Sequence, residues 1–371
     1  MNMQALLALV TAAAILIVPM TAVGTSQPVS IPDPLPVQAQ QPPDSAPSEA
    51  QSGSPAPVDE PPNPQQSQPP PEDEPEQTQG IYTGAPASFK ILDKTTGRVA
   101  TVKAVDYVRG AVAAEMPALY HPEALKAQAV AAYTYAVRQA LRQRAAPEAA
   151  LKGADFEADP QNLKGYLTEK QAKELYGEQF ELYWGKVCAA ADEAGRYILT
   201  YEQQPIAAAY HAISAGRTEA AINIWAGEDP PYLTMVESPG DILAAGYKTT
   251  VQVQAQDLGA KIRAAYPGIL LPKDVASWVQ IESRSDAGYV TQVSVGGQAM
   301  SGQELRTLLD LRSSHFEVRY SGGVFTFTVL GYGHGAGLSQ NGADYMARQG
   351  ATFDEILLHY YPGATIALAA Q

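Results

Sequence analysis

Residues 105–144 read VDYVRGAVAAEMPALYHPEALKAQAVAAYTYAVRQALRQR. The break inside them, Glu115-Met116-Pro117, decides how the chain folds. Two helical patterns meet there. The first is predicted to begin at Asp106, a residue type suited to an N-cap, and to run through Tyr107, Val108, Ala111 and Val112. It must stop before Pro117, because a proline pushes the preceding residue out of the α region. The second is predicted from near His121 to about Arg144, with Pro122 at its first position and Glu123 in its first turn. Glu115 is thus a carboxylate at the C-terminal end of a short helix. The partial negative charge of that end disfavours another. Apolar neighbours such as Met116 desolvate it further. Both effects raise its pKa, the property a general acid requires.

Working outward, Phe89 to Val102 is predicted as a strand or hairpin turning at Lys94-Thr95-Thr96-Gly97. On the second helix Leu125, Ala129, Ala132, Ala136 and Ala140 make a narrow stripe of small residues that admits another backbone. Lys126, Tyr133 and Val137 share a different face, where a lysine is ordinarily solvated. Thr168-x-x-Gln171 is a capping box. The aromatic residues after it (Tyr176, Phe180, Tyr183, Trp184) recur at helical spacing, as core residues do. Tyr197–Tyr201 and Ile206–Tyr210 read as strands joined by Glu202-Gln203-Gln204. They lead into a polar loop, His211 to Arg217, that contains Ser214 and Gly216. A lone histidine at a strand end is usually structural.

Residues 248–330 alternate like strands at Thr249–Val253, Ser277–Glu282, Tyr289–Val295, Phe316–Tyr320 and Val324–Leu330. A capping box at Ser301 opens a helix to about Leu311. This part reads as scaffold. The C-terminal stretch Gly331 to Ala343 carries alternating glycines, which imply sharp turns or close backbone approach. It opens a helix predicted from Ala343 to Arg348 and presents His334, Ser339 and Gln340 at the entrance. Thr352 caps one more helix. The class is α+β: a helix pair carrying Glu115, packed with mixed β-strand subdomains.

The chain has 371 residues, of which 46% are apolar, and a net charge of -14. Residues 1–80 hold nine acids and no Lys or Arg, which leaves -5 for the rest. No basic stripe points to nucleic acid. Residues 5–23 are nearly all apolar, so residues 1–24 are expected to be a signal peptide or a membrane anchor. Residues 25–85, rich in Pro, Gln, Ser and acids, are expected to be a disordered linker or filler. Residues 86–371 are expected to form the folded domain. Cys188 is the only cysteine, so neither an intrachain disulfide nor a Cys-x-x-Cys site can form.

Familiar catalytic signatures are missing: there is no His-Glu-x-x-His, no Gly-x-Ser-x-Gly and no nucleotide fingerprint. The glycine-rich stretch lacks the Gly-Lys-Ser/Thr of a phosphate loop. A metal site from His211 and His334 has no ligand spacing to support it. A Ser-His hydrolase using Ser214 or Ser339 is equally unsupported. What remains is one poised carboxylate with hydroxyl, amide and imidazole groups suited to a sugar.

Four segments, in this order, resemble the SpoIID/LytB domain family over about residues 89–366. They are Val112-Ala113-Ala114-Glu115-Met116-Pro117, the run Glu123 to Tyr135, the His211 loop, and Gly333 to Ala343. The resemblance implies a peptidoglycan lytic transglycosylase acting on MurNAc-GlcNAc strands during sporulation. It also implies a membrane tether, no cofactor, and cooperation with a wall amidase and a membrane scaffold protein. The family's other branch implies instead a non-catalytic binder that stimulates an amidase. By the resemblance Glu115 is the catalytic acid and base. Lys126, Tyr133, Tyr135, His211, Ser214, His334, Ser339 and Gln340 are the expected substrate-binding residues. Two departures stand out. Tyr133 occupies a position where the family commonly has arginine. The cysteines that bind zinc near the histidine loop in some members are missing, since Arg217 follows the loop and Cys188 is remote. No metal site is therefore expected.

Overall fold

A computed structural model describes residues 80–370 apart from 160–164 and 226. The expected anchor and nearly all of the expected linker lie outside the described residues. Among those described, no helix is long and apolar enough to cross a membrane. The architecture is a mixture of α-helices and several small sheets, as the α+β expectation requires.

A short strand β1 (Ile81–Tyr82) precedes the hairpin β2 (Ser88–Asp93) and β3 (Val99–Lys103), which turns where expected. Helix α1 (Ala104–Glu115) follows at once. Its N-cap is Lys103, with no side-chain cap, and the expected cap Asp106 lies instead in the first turn. The hairpin runs straight into the helix, so there is no free turn for Asp106 to close; its carboxylate still favours the positive helix end. Met116 is the C-cap, with extended φ -123 and ψ 141, as a residue before proline must be. Helix α2 (Pro122–Ala145) has His121 as its N-cap, whose ring accepts from the Glu123 N–H.

Strand β4 (Phe156–Ala158) pairs parallel with β2. Helices α3 (Glu169–Tyr176), capped by the Thr168 box, and α4 (Phe180–Ala194) break at Gly177. In the main core, α2 carries fully buried Leu125, Ala129, Ala132 and Ala140 against α1 and α4. One contact of α1 bears on the site. A Cβ on Gly110 would lie 2.0 Å from the Leu167 carbonyl oxygen, while Leu167 N–H donates to Gly110 O at 3.0 Å. Only glycine lets the 165–167 segment approach the helix so closely.

The strand expected over Ile206–Tyr210 does not form: of its residues only Tyr210 lies in a strand, and the hairpin is completed by the pair just before it. β5 (Tyr197–Tyr201) pairs with β6 (Gln204–Pro205) across Glu202-Gln203, both with positive φ. The chain then leaves the ladder, because side chains take its backbone groups. Tyr232 Oη accepts from Ala207 N at 3.1 Å, and Tyr361 Oη donates to Ala209 O at 2.7 Å. β7 (Tyr210–His211) resumes on a different partner.

A second core comprises β8 (Lys248–Gln254), α5 (Ala255–Ala265), β9 (Val279–Arg284), β10 (Val290–Val295), β11 (Gln298–Met300), α6 (Gly302–Leu309), β12 (Phe316–Ser321) and β13 (Val324–Leu330). The five expected strands are present; α5 and β11 were not anticipated. Two three-stranded antiparallel sheets, β12-β13-β8 and β11-β10-β9, enclose Leu258, Val293, Leu305 and Phe327. The C-terminal part returns to the first core. β14 (Leu338–Ser339) pairs parallel with β7, with Tyr210 opposite Leu338 and His211 opposite Ser339. Helix α7 (Gln340–Arg348) starts three residues before the expected Ala343, because Ser339 Oγ caps it by accepting from Gly342 N. Helix α8 (Phe353–Tyr360) keeps the Thr352 box, and β15 (Thr365–Ala369) closes the sheet β1-β15-β5-β6.

Candidate functional site

Glu115 ends α1 where Pro117 forbids continuation. Burial pushes its carboxyl up to about 7. Two donors near the carboxylate act against that rise: the backbone N–H of Gly165 and the side-chain amide of Gln340. The close packing of Leu167 on Gly110 holds Gly165 there. Gln340 arrives from the other direction, as the first residue of α7. Its Nε2 also donates to Gln128 Oε1 on α2 at 3.3 Å. The Tyr107 and Tyr210 hydroxyls are pushed well above their ordinary range, first by burial and then by the Glu115 charge. They stay protonated beside the carboxylate.

The His211 and glycine-rich segments form one unit. Gly337 has φ +68, and a Cβ there would sit 2.1 Å from Ala209 O, so glycine is what lets β14 close onto β7. His211 Nδ1 lies 3.1 Å from the Ala336 carbonyl, which can only accept, so this nitrogen carries the proton. Burial drives the His211 pKa down to about 4, leaving the ring neutral. Its Nε2 is a buried acceptor without a partner among the described residues. His334 differs. Its Nδ1 accepts from Ala336 N at 3.1 Å and the other nitrogen donates to the Tyr210 carbonyl. Burial holds it neutral as well. The two rings lie 5.7 Å apart, and Trp225 packs on His334 at 5.1 Å.

Ser214 and Ser339 are both fully buried, and both bond to a residue the sequence did not reveal, Asp241. One Asp241 oxygen accepts Ser214 N at 2.9 Å and Ser238 Oγ at 2.8 Å. The other accepts Ser339 Oγ at 2.8 Å and Asn341 Nδ2 at 3.3 Å. These serines therefore tie loops together. No motif spacing announced Asp241; its only sequence signal is a turn context, Ser238-Pro239-Gly240. Gln128, Tyr210 and Trp225 were also missed, although Gln128 lies inside the quoted helix pattern.

Other expected residues face elsewhere. Lys126 Nζ, on a side chain 14% exposed, binds Glu123 at 2.8 Å and Glu193 at 2.6 Å, joining α2 to α4. Tyr133 is a core residue whose ring packs edge-on to Phe89 at 6.3 Å. The Tyr135 hydroxyl accepts from Gln139 Nε2 at 3.0 Å, and it lies near enough to Tyr107 and Tyr210 to raise both. So the fold gathers Glu115, His211, Ser214, His334, Ser339 and Gln340 around one seam. Lys126 and Tyr133 bond and pack away from it.

Among the described residues no three His, Cys, Asp or Glu side chains converge as metal ligands. A groove of about 450 Å³ lies on the second core, lined by Ile224, Tyr266, Met300, Gln303, Glu304 and Leu308 among others. Its one acid, Glu304, caps its own helix through Ser301 N–H.

The sequence model of the "Stage II sporulation protein" family (SpoIID) matches residues 92–201, a span that includes Glu115 and α2. Stage II sporulation protein D of Bacillus subtilis is 35% identical over 286 residues, covering 77% of this chain and 80% of its own length. The Bacillus amyloliquefaciens protein of the same name is 35% identical over 285 residues, with the same shares. A protein named amidase enhancer, from Bacillus subtilis, is 26% identical over 68% of this chain and 39% of its own length. At that identity and coverage, the chain belongs to the stage II sporulation protein D (SpoIID) family.

Proposed function

We propose that the protein is a peptidoglycan lytic transglycosylase that cuts between muramic acid and glucosamine units with Glu115 as its only acid and base. One observation carries this reading: a carboxyl raised to about 7 at the chain break between α1 and α2, with the Gln340 amide of α7 beside it. Most glycosidases need two carboxylates. Among the described residues the buried acids are already committed. Asp241 accepts from four donors, Glu219 from Ala220 N, Asn223 Nδ2 and Ser285 Oγ, and Asp155 from Lys90 N and Arg144. A transglycosylase tolerates this, because the sugar's own 6-hydroxyl replaces water. Protonated Glu115 gives its proton to the glycosidic oxygen as the C1–O bond breaks. The resulting carboxylate takes the 6-hydroxyl proton as O6 bonds to C1. The products are a 1,6-anhydro end and a free 4-hydroxyl, and no water is consumed.

The pKa near 7 suits both halves at neutral pH. The Gly165 and Gln340 donors stabilise the ionised form between them. His211 Nε2, the partnerless acceptor, is suited to a sugar hydroxyl. Residues 86–371 would then be the catalytic domain. Residues 1–24 would export or anchor it, and the part of residues 25–85 ahead of β1 would give it reach within the septal wall of a sporulating cell. A wall amidase that strips stem peptides and a membrane scaffold protein would be its partners.

A second reading rests on the relative named amidase enhancer: a non-catalytic glycan binder that stimulates an amidase. The discriminating experiment incubates peptide-stripped glycan strands, and intact wall with and without an amidase, with the protein. Fragments released without amidase support the enzyme. Stimulation of amidase with no fragments from stripped strands supports the binder.

A further inference from the structure

The Gln340 amide that faces Glu115 is itself held by a second amide, Gln128. Gln128 is fully buried on α2 and Gln340 is 6% exposed. Gln128 Oε1 accepts Gln340 Nε2 at 3.3 Å. Gln128 Nε2, in turn, is buried with no partner among the described residues. Turning the Gln128 amide over would set its nitrogen against the Gln340 nitrogen, donor against donor. The interaction with Gln340 therefore dictates an orientation that leaves a buried N–H unpaired, a cost that proteins rarely retain without a reason. The Gln340 nitrogen carries two hydrogens. With one on Gln128, the other is free for the carboxyl of Glu115.

We propose that Gln128 is a positioning residue: by accepting one hydrogen of the Gln340 amide, it holds the other on the Glu115 carboxylate. This rests on the reading of Glu115 as the acid and base. Burial alone favours the protonated carboxyl. The first half of the reaction leaves Glu115 ionised, and a fixed N–H on that anion makes the step less uphill. Gln340 is anchored at its backbone by β14 and the Ser339 cap. Its flexible side chain needs a second anchor, and Gln128 supplies it. The titratable groups facing Glu115 are Tyr107 on α1 and Tyr210 on β7. Both stay protonated, so they do not shape the profile below pH 9.

The test uses the full chain and two readouts. One is the carboxyl titration of Glu115 by 13C NMR without substrate, its signal assigned by its loss in Glu115→Gln. The other is the pH profile on stripped glycan strands. In Gln128→Met the titration midpoint and the alkaline limb of kcat/KM should rise together by about half a pH unit or more. At neutral pH kcat should fall about tenfold while KM stays within about twofold. Gln340→Met should move the titration in the same direction. The double variant should match Gln340→Met alone, because Gln128 acts only through it. An unmoved midpoint in Gln128→Met, or additive shifts in the double variant, overturns the proposal. If Gln128→Met does not fold, Gln128→Leu makes the same deletion, and an unmoved midpoint in Gln340→Met overturns the proposal by itself. Activity that survives in Glu115→Gln would sink the catalytic reading instead, while the titration would still decide the role of Gln128.

Discussion

At the scale of residues, the half-buried Glu115 and the buried His211 are held away from their ordinary charge states, in opposite senses for stability. Glu115 is raised to about 7, so its folded form binds a proton more tightly than the unfolded chain does. The stability this supplies is full below the unfolded pKa and is lost as pH rises through 7. Glu115→Gln removes the penalty. Its stability advantage over the native chain should grow between pH 5 and 8, to on the order of 2–3 kcal/mol, read by urea unfolding. A difference independent of pH would contradict this. His211 is lowered to about 4. Its stabilising contribution is present above pH 6.5 and is lost as pH falls toward 4. The native chain should therefore lose on the order of 2–3 kcal/mol more than His211→Gln between pH 7.5 and 4.5. Equal losses would mean that the ring charges freely in the folded state. The position of Glu115 was legible because a proline is a local signal. The partners of Lys126 were not. Periodicity places a residue on a face without saying which acids of another helix, here Glu193 on α4, will meet it.

At the scale of elements, close backbone approaches position the side chains of the candidate site. Gly110 lets the 165–167 segment lie on α1. Gly110→Ala would force its Cβ against the Leu167 carbonyl. A cost of about 1–3 kcal/mol is expected, with an activity loss larger than the lost folded fraction explains, since Gly165 shifts off Glu115. Activity in proportion to folded protein would argue against that link. Asp241 joins the His211 loop, the Ser238 turn and the start of α7. Asp241→Ala strands four donors, and thermal or urea unfolding should show a loss of about 3–5 kcal/mol. A loss below about 1 kcal/mol would mean that water replaces the carboxylate. Capping boxes at Thr168, Ser301 and Thr352 made helix starts readable, because the cap is encoded within four residues. The start of α7 was misread because Ser339 caps it without a glutamate at the third position. The Ile206–Tyr210 strand was misread because Tyr232 and Tyr361, distant in sequence, take its backbone groups.

At the scale of the whole molecule, the second core is more than passive scaffold. Tyr289 packs against Gly335, where a Cβ would lie 2.7 Å from its ring, and its hydroxyl accepts from Ala215 N at 3.1 Å. Gln303 Nε2 donates to His334 O at 3.3 Å, and Gly333 N donates to Arg312 O at 2.9 Å. Residues 248–330 thus brace the glycine-rich stretch. The five strands of this part could be read from alternation. Its role could not, since it depends on contacts between segments far apart in the chain. The central claim is that one carboxylate performs both halves of the cleavage. Mass analysis of fragments from peptide-stripped glycan strands tests it most directly. The native chain should release fragments ending in 1,6-anhydromuramic acid. Glu115→Gln, correctly folded, should release at least about 100-fold less. Reducing ends in place of anhydro ends, or full activity in Glu115→Gln, would contradict it.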